Sequence, residues 1–225
     1  MVTCPANASF CSGFEDATMP KGSVYHANSN STVWTDSFAI DTTVLKNGKS
    51  SLKVKSNVDA PGVGNYQMLA VPTPSPAGSA FWVRFYIRSD LDLGGVDHNA
   101  FTEASGSDDP NDAVAIEFAE DVGVAFNTKD DVRWPVGYGR TTSGGTNPFS
   151  LPKNTWHCIE ISYDGQARHQ QLFVDGTLQI DASNYPMTVG TGLKVFKFGF
   201  LQYHGPARNV WYDDVAVAPQ RIPCS

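Results

Sequence analysis

Several large classes of protein are excluded by what this chain lacks. No apolar run approaches the ~18 residues that span a bilayer, so no membrane partner is expected. Charged residues make up only 17% of the 225, too few for a helical bundle or coiled coil rich in Glu, Lys and Arg. No window of about eleven residues or more carries a convincing helical period. The formal net charge is −7 and no basic stripe stands against it. Nucleic acid is therefore not an expected partner, because nothing would neutralise its phosphates. There is no CxxC and no Cys/His set with zinc spacing. No linker-like tract divides the chain, so a single domain over 1–225 is expected, acting as a monomer. No leader precedes Met1-Val2-Thr3-Cys4, which reads as a methionine added to a trimmed mature end.

What is present is alternation. In Phe81-Trp82-Val83-Arg84-Phe85-Tyr86-Ile87-Arg88, the residues Phe81, Val83, Phe85 and Ile87 share one face. Trp82, Arg84, Tyr86 and Arg88 share the other, as the two-residue period of a strand requires. Ser51 to Lys55 and Val114 to Ala119 alternate too, with Glu117 on the non-core side. Further strands are expected over Trp156 to Tyr163, Gln170 to Val174, Thr177 to Ile180, Val195 to Tyr203 and Val210 to Val217. Asp175-Gly176 is a hairpin signal. The 20 Gly and 14 Pro punctuate many short elements. Short strands without intervening helices predict an all-β antiparallel sandwich, jelly roll or barrel. In a jelly roll the concave sheet can form an open groove for a linear chain. Trp82, Arg84, Tyr86 and Arg88 suit such a groove, with rings to stack on sugars and cations to bind hydroxyls or carboxylates. They suit a solvated outer face equally well.

The four cysteines are Cys4, Cys11, Cys158 and Cys224. An even count with three near the termini predicts two disulfides and an oxidising, extracellular location. Three connectivities are possible. The favoured one joins Cys4 to Cys11 as a local clip and Cys158 to Cys224 as a tie from the C-terminus to an inner strand.

Several segments together resemble one family: cellulose-induced secreted β-jelly-roll proteins, relatives of glucuronan and alginate lyases. Gly13-Phe14-Glu15-Asp16 resembles the family's opening, and Ile40 to Val54 its long second-strand segment. Phe81 to Arg88 is similar to its aromatic-Val-Arg-x-aromatic-Ile-Arg strand, with His98 following at a matching distance. Trp156-His157-Cys158-Ile159-Glu160 resembles its Cys-x-Glu strand. Phe198 to Tyr203, then Val210 to Val215 and Cys224, resemble its ending. The resemblance runs over nearly the whole chain, and order and spacing carry it rather than any one motif. It implies a single-domain, concanavalin-like β-jelly roll, a part in plant cell-wall degradation, and the Cys158–Cys224 bridge. The Cys4/Cys11 pairing lies outside the family's common pattern and rests on proximity.

The resemblance also implies chemistry. A structural Ca²⁺ would join the first and last strands through Glu15, Asn47, Ser50 and Asp213, which can supply the oxygen ligands a hard cation requires. Lyases of this fold cleave uronic-acid chains by β-elimination. One group neutralises the C6 carboxylate, a base takes the C5 proton, and an acid protonates the departing O4. Arg84 or Arg88 would neutralise the carboxylate, His98 would act as base and Tyr203 as acid, or Tyr203 as base and acid combined. Gln202, Trp82 and Tyr86 would bind substrate. Relatives carry a His-x-Arg pair where this chain reads Ala115-Ile116-Glu117-Phe118-Ala119. Either the substrate is not a uronan, or the neutralising cation comes from another strand. The expected groove is thus lined by Arg84, His98, Glu117 and Tyr203. The alternative is a non-catalytic carbohydrate-binding accessory protein or lectin.

Other candidates are weaker. Asp108-Asp109-Pro110-Asn111-Asp112 is oxygen-rich but matches no EF-hand spacing. Glu103, Glu117 and Glu160 invite a glycosidase reading, yet no Glu-x-Asp-x-x-Glu run accompanies them. Of Asp213 and Asp214, one ligand or turn acid and one solvated acid are expected. Asn7-Ala8-Ser9 and Asn30-Ser31-Thr32 are glycosylation sequons.

Overall fold

A computed structural model describes residues 4–26, 37–56, 65–74, 76, 79–94, 99–106, 115–120, 124–128, 133–134, 150–183, 192–202 and 205–224. Of these, residues 26, 65, 66, 115–120, 128, 133 and 134 are described by backbone alone. The strands are β1 (Phe10–Ser12), β2 (Val24–His26), β3 (Phe38–Asp41), β4 (Ser51–Lys55), β5 (Asn65–Pro72), β6 (Phe81–Ser89), β7 (Asn99–Ser105) and β8 (Ala115–Glu120). They continue as β9 (Val124–Thr128), β10 (Arg133–Trp134), β11 (His157–Asp164), β12 (His169–Val174), β13 (Thr177–Ser183), β14 (Val195–Gln202) and β15 (Asn209–Ala218).

Alternation becomes pairing in two antiparallel sheets. The eight-stranded sheet runs β13-β12-β11-β6-β15-β4-β3, with β1 also on β15. The seven-stranded sheet runs β10-β9-β8-β7-β14-β5-β2. Asp175 and Gly176 both have positive φ, 49° and 79°, between the paired Val174 and Thr177. That is the two-residue hairpin whose twist suits its flanking strands.

The sheets meet over one core. Phe81, Val83, Phe85, Ile87, Ile159, Ile161, Tyr163, Val210 and Tyr212 face Leu69, Val71, Phe101, Phe126, Phe196, Phe198 and Phe200. Rings touch across the layer, Phe198 against Tyr212 at 5.4 Å and Tyr163 against Phe196 at 6.1 Å between centroids. Each large apolar side chain so buried contributes about 1.5–3 kcal/mol. In β15 the core parity changes from Val210 and Tyr212 to Val215 and Val217. The change falls at a register shift between Asp213 and Ala216, where Asp214 takes a positive φ of 50°.

The expected antiparallel sandwich is therefore present. Strands β1, β2, β3, β5, β7, β9 and β10 were not among the alternating segments. The first three and β10 are short, and β7 breaks alternation at a bulge between Ala100 and Thr102.

Both favoured disulfides are formed, Cys4–Cys11 and Cys158–Cys224. The second lies beside a clamp. Glu160 Oε2 accepts from Arg221 Nε at 2.6 Å, and Glu160 Oε1 accepts from the Cys224 main-chain N–H at 3.1 Å. The tail thus crosses the outer face of the eight-stranded sheet, and Ile222 packs on Ala216 and Ala218. The bridge closes a loop with a sequence separation of 66, for which chain entropy alone gives about 4 kcal/mol. Replacing both Cys158 and Cys224 by Ser should lower the melting temperature by roughly 8–16 °C, the size of shift such an energy produces in a domain of this length. Differential scanning calorimetry checks this, with Cys4→Ser/Cys11→Ser expected to cost less because its loop is shorter.

Candidate functional site

The outward face of the seven-stranded sheet carries a cross-strand row. Lys197 of β14 lies between two core phenylalanines, Phe196 and Phe198, so its own side chain points away from the core. It is opposite Ala70 on one side and Glu103 of β7 on the other. Glu103 is opposite Glu117 of β8, Glu117 opposite Asn127 of β9, and Asn127 opposite Arg133 of β10. Lys197 Nζ donates to Glu103 Oε1, and the two side chains are only 1% and 6% exposed. Asn127 is buried as well. Beside this row, Met68, Ala100 and Leu201 form a small apolar cluster separate from the main core. Buried charge outside the core is costly and persists only when paired. A buried ion pair outside the core therefore marks this face as more than a solvated surface.

The β7–β14 ladder ends at the pair Asn99 and Gln202. In sequence the next residues outward are His98 and Tyr203. Both lie outside the described residues, as does the segment 108–112. Gln202 Nε2 donates to the carbonyls of Gly205 and Pro206, both at 2.9 Å, and closes the turn after β14.

Strand β6 departs from expectation. Arg84, Trp82, Tyr86 and Arg88 stand on the outward face of the eight-stranded sheet, whereas Glu117 belongs to the seven-stranded one. One groove cannot hold both sets, since the core lies between them. Nor is this face an open stacking surface. Arg84 and Tyr86 are 5% and 4% exposed. Arg221 stands over Trp82 at 5.7 Å and over Phe173 at 3.7 Å from the ring centres. Lys46 covers the Tyr86 ring at 4.6 Å. Arg88 and Lys53 flank Trp211, at 5.2 and 5.4 Å. Such cation–π contacts make these residues a packed outer layer.

The residues expected to hold calcium converge around β15. Asp213 Oδ2 accepts from the main-chain N–H groups of Lys46 and Asn47, at 3.1 and 3.2 Å. Its Oδ1 accepts from Asp214 N at 2.8 Å. Asn47 Nδ2 donates to Asp214 Oδ2 at 2.8 Å. Glu15 Oε2 accepts from Lys49 N at 2.7 Å, and Ser50 Oγ donates to Phe14 O at 2.7 Å. Glu15 Oε1 and Asp214 Oδ1 are buried with no hydrogen-bond partner among the described residues. A Cβ on Gly48 would fall 1.5 Å from Glu15 Oε1, so only glycine leaves room for this carboxylate. Asp214 is 5% exposed, which corrects the expectation of a solvated second acid. Burial pushes the Asp213 carboxyl up to about 6; the Asp214 charge adds to this, and the three main-chain N–H donors offset part of it. Two orphaned carboxylate oxygens beside a desolvated acid are what a hard cation would satisfy. Among the described residues no three His, Cys, Asp or Glu side chains form a metal cluster by themselves, so neutral oxygens of Asn47 and Ser50 would have to complete the set. Their hydrogen bonds, both donated, leave those oxygens' lone pairs available.

A family model for the core domain of Cip1-like proteins, within a polysaccharide-lyase-like group, matches residues 9–220. The chain belongs to the Cip1-like family. Its fold is similar to the solved structure of the cellulose-induced protein Cip1, with a TM-score of 0.74 and 20% identity over 96% of this chain and 100% of that one. It is also similar to an endo-β-1,4-glucuronan lyase from the fungus Trichoderma reesei, with a TM-score of 0.60 and 16% identity over 88% and 95% of the two chains. Domain 4 of the GH43 arabinanase AbnA from Geobacillus stearothermophilus, solved with arabinotriose, gives a TM-score of 0.60 at 11% identity over 96% and 94%. At these identities the likeness is one of fold. Among curated protein sequences none matches.

Within this Cip1-like fold, the residues that sequence reasoning passed over are Lys197, Glu103 as its partner, Asn127 and Asp214. A strand reading Val-Phe-Lys-Phe-Gly-Phe alternates like any half-buried strand, and its lysine reads as solvated. The glutamate that buries it lies 94 residues away. The pair makes a sharp prediction. Glu103→Leu alone strands a buried ammonium and should destabilise by about 3–5 kcal/mol, whereas Glu103→Leu with Lys197→Met should restore near-native stability. Urea denaturation of the three proteins checks it; equal loss in the single and double variants contradicts the pairing.

Proposed function

We propose that this Cip1-like protein is a secreted, carbohydrate-active protein of polysaccharide-lyase type that binds an acidic polysaccharide along the outward face of the seven-stranded sheet. The observation that carries this reading is the buried Lys197–Glu103 pair on that face, with buried Asn127 on the same sheet and Glu117 opposite Glu103 in the ladder; His98 and Tyr203 directly precede β7 and follow β14 in sequence. In place of the cation missing from β8, β14 carries Lys197, whose charge beneath this face would offset that of a bound uronate carboxylate through the field rather than by direct contact. His98 would then take the C5 proton and Tyr203 return one to the departing O4. Two disulfides and the family support an extracellular location. A glucuronan chain is the first substrate to test, because a lyase named for it shares the fold.

One observation favours a second reading. Lys197 is held by Glu103 and scarcely exposed, which suits a face that grips a chain without reacting with it, as an accessory protein would.

The test is incubation with β-1,4-glucuronan, alginate and pectate, read by the ultraviolet absorbance of the unsaturated uronate that β-elimination leaves, with affinity electrophoresis in parallel. Activity that falls on the order of 10²–10⁴ in His98→Ala or Tyr203→Phe supports the lyase. Binding without absorbance supports the accessory protein. Neither binding nor absorbance on any of the three overturns both readings.

We further propose that a structural Ca²⁺ sits among Glu15, Asn47, Ser50, Asp213 and Asp214, where it would neutralise the two adjacent aspartates. EDTA should lower the melting temperature and added Ca²⁺ restore it. At a hundredfold excess over Kd the stabilisation is about 2.7 kcal/mol. Glu15→Ala should abolish the calcium response; a melting curve indifferent to EDTA contradicts the site.

A further inference from the structure

The β7–β14 ladder slips once. Phe198 pairs with Thr102, and the next pair is Leu201 with Ala100, so Gly199 and Phe200 stand against the single residue Phe101. The bulge changes what faces outward. Phe101 is in the core, and the adjacent Thr102 also turns inward, its Oγ1 3.1 Å from the Tyr163 hydroxyl. Strict alternation is thereby broken. Ala100 and Glu103, three residues apart, come to share the outward face, one in the apolar cluster with Met68 and Leu201 and the other in the charged row. Without the slip they would face opposite ways.

A bulge frees main-chain carbonyls from the ladder, and inside a core they need a donor. Here the donor comes from the opposite sheet. Tyr212 of β15 is fully buried, packed on Phe85 and Phe198 at 5.6 and 5.4 Å. Its hydroxyl lies 2.9 Å from the carbonyl oxygen of Phe101 and 2.5 Å from that of Gly199. These are the bulge residues on either strand, and one phenol proton serves both. Burial holds that phenol well above its ordinary pKa, so it stays a donor. From the other side the third strand presses on the same spot. A Cβ at Gly199, whose φ is 153°, would meet the Gln67 carbonyl oxygen at 2.2 Å.

We infer that Tyr212 is the positioning residue of the outward face: from across the core it fixes the β7–β14 bulge that brings the Met68–Ala100–Leu201 patch and the Lys197–Glu103 row onto one surface. Its effect on ligand affinity rests on the proposed function; its effect on the bulge does not.

Tyr212→Phe keeps the ring and removes the proton. Amide hydrogen exchange should accelerate about tenfold or more across 99–105 and 195–202, the consequence of one lost hydrogen bond to main chain, with β4 and the 81–89 strand unchanged. The affinity of a β-1,4-glucuronan probe should fall by a similar factor. Val54→Ala, a core change on β4 away from the bulge, serves as the control: it lowers melting temperature but should spare both the local exchange pattern and probe affinity. Gly199→Ala keeps the phenol and displaces the bulge from the other side; it should reproduce the local exchange signature and decides the matter should Tyr212→Phe not fold. Acceleration spread evenly over both sheets, none at all, or the same affinity loss in Val54→Ala overturns the inference. If the wild type does not bind the probe, the proposed function fails, while the exchange pattern alone still decides the role of Tyr212.

Discussion

Both sheets are completed by the last two strands of the chain, and the rest of the structure depends on that insertion. Strand β15 lies between β6 and β4, and β14 between β7 and β5. Remove them and each sheet separates into halves with an unpaired edge, since the hydrogen-bonding groups on either side have no other partner. The features of chemical interest hang on the same two strands. Lys197 is presented by β14. Tyr212 and the Asp213–Asp214 pair belong to β15. The 46–47 main-chain donors that hold Asp213, and the bulge held by Tyr212, are both fixed by where β15 sits.

The two outward faces use their charges differently. On the eight-stranded sheet cations lie flat on aromatic rings, and Arg221 with Glu160 fastens the tail across them. Such contacts cement a surface already covered. On the seven-stranded sheet the charged groups stand in register across neighbouring strands, with like charges, Glu103 and Glu117, directly opposite each other. Opposed carboxylates are unfavourable in an otherwise free sheet. Glu103 is in addition paired with the buried Lys197 ammonium, and the proposed function is placed on that face for this reason.

How far the sequence was legible varies with how local the signal is. Strict alternation over Phe81 to Arg88 located β6 and correctly separated its two faces, but alternation cannot say which sheet a strand joins. The arginine face was read as the groove, whereas it lies under the tail. The hairpin at Asp175-Gly176 needs only two residues and was plain. The charged row was not, because its members come from four strands joined only by pairing, and the bulge in β7 hides Glu103 from any two-residue period. Asp214 was misread for a similar reason: two adjacent acids normally face opposite ways, and only the positive φ at Asp214 lets both turn into buried surroundings.

The placement of β14 and β15 also bears on how the chain is made. A polypeptide synthesised from its N-terminus holds β4, β5, β6 and β7 with open edges until residues beyond 195 exist. Joining the halves of either sheet therefore requires contacts between strands far apart in sequence, which are slow to form. During that interval the apolar strands are exposed to one another in the wrong order. Arg221, Ile222 and Cys224 follow β15 in sequence, so the clamp that they make with Glu160, Ala216, Ala218 and Cys158 fastens a sheet whose central strand is already supplied.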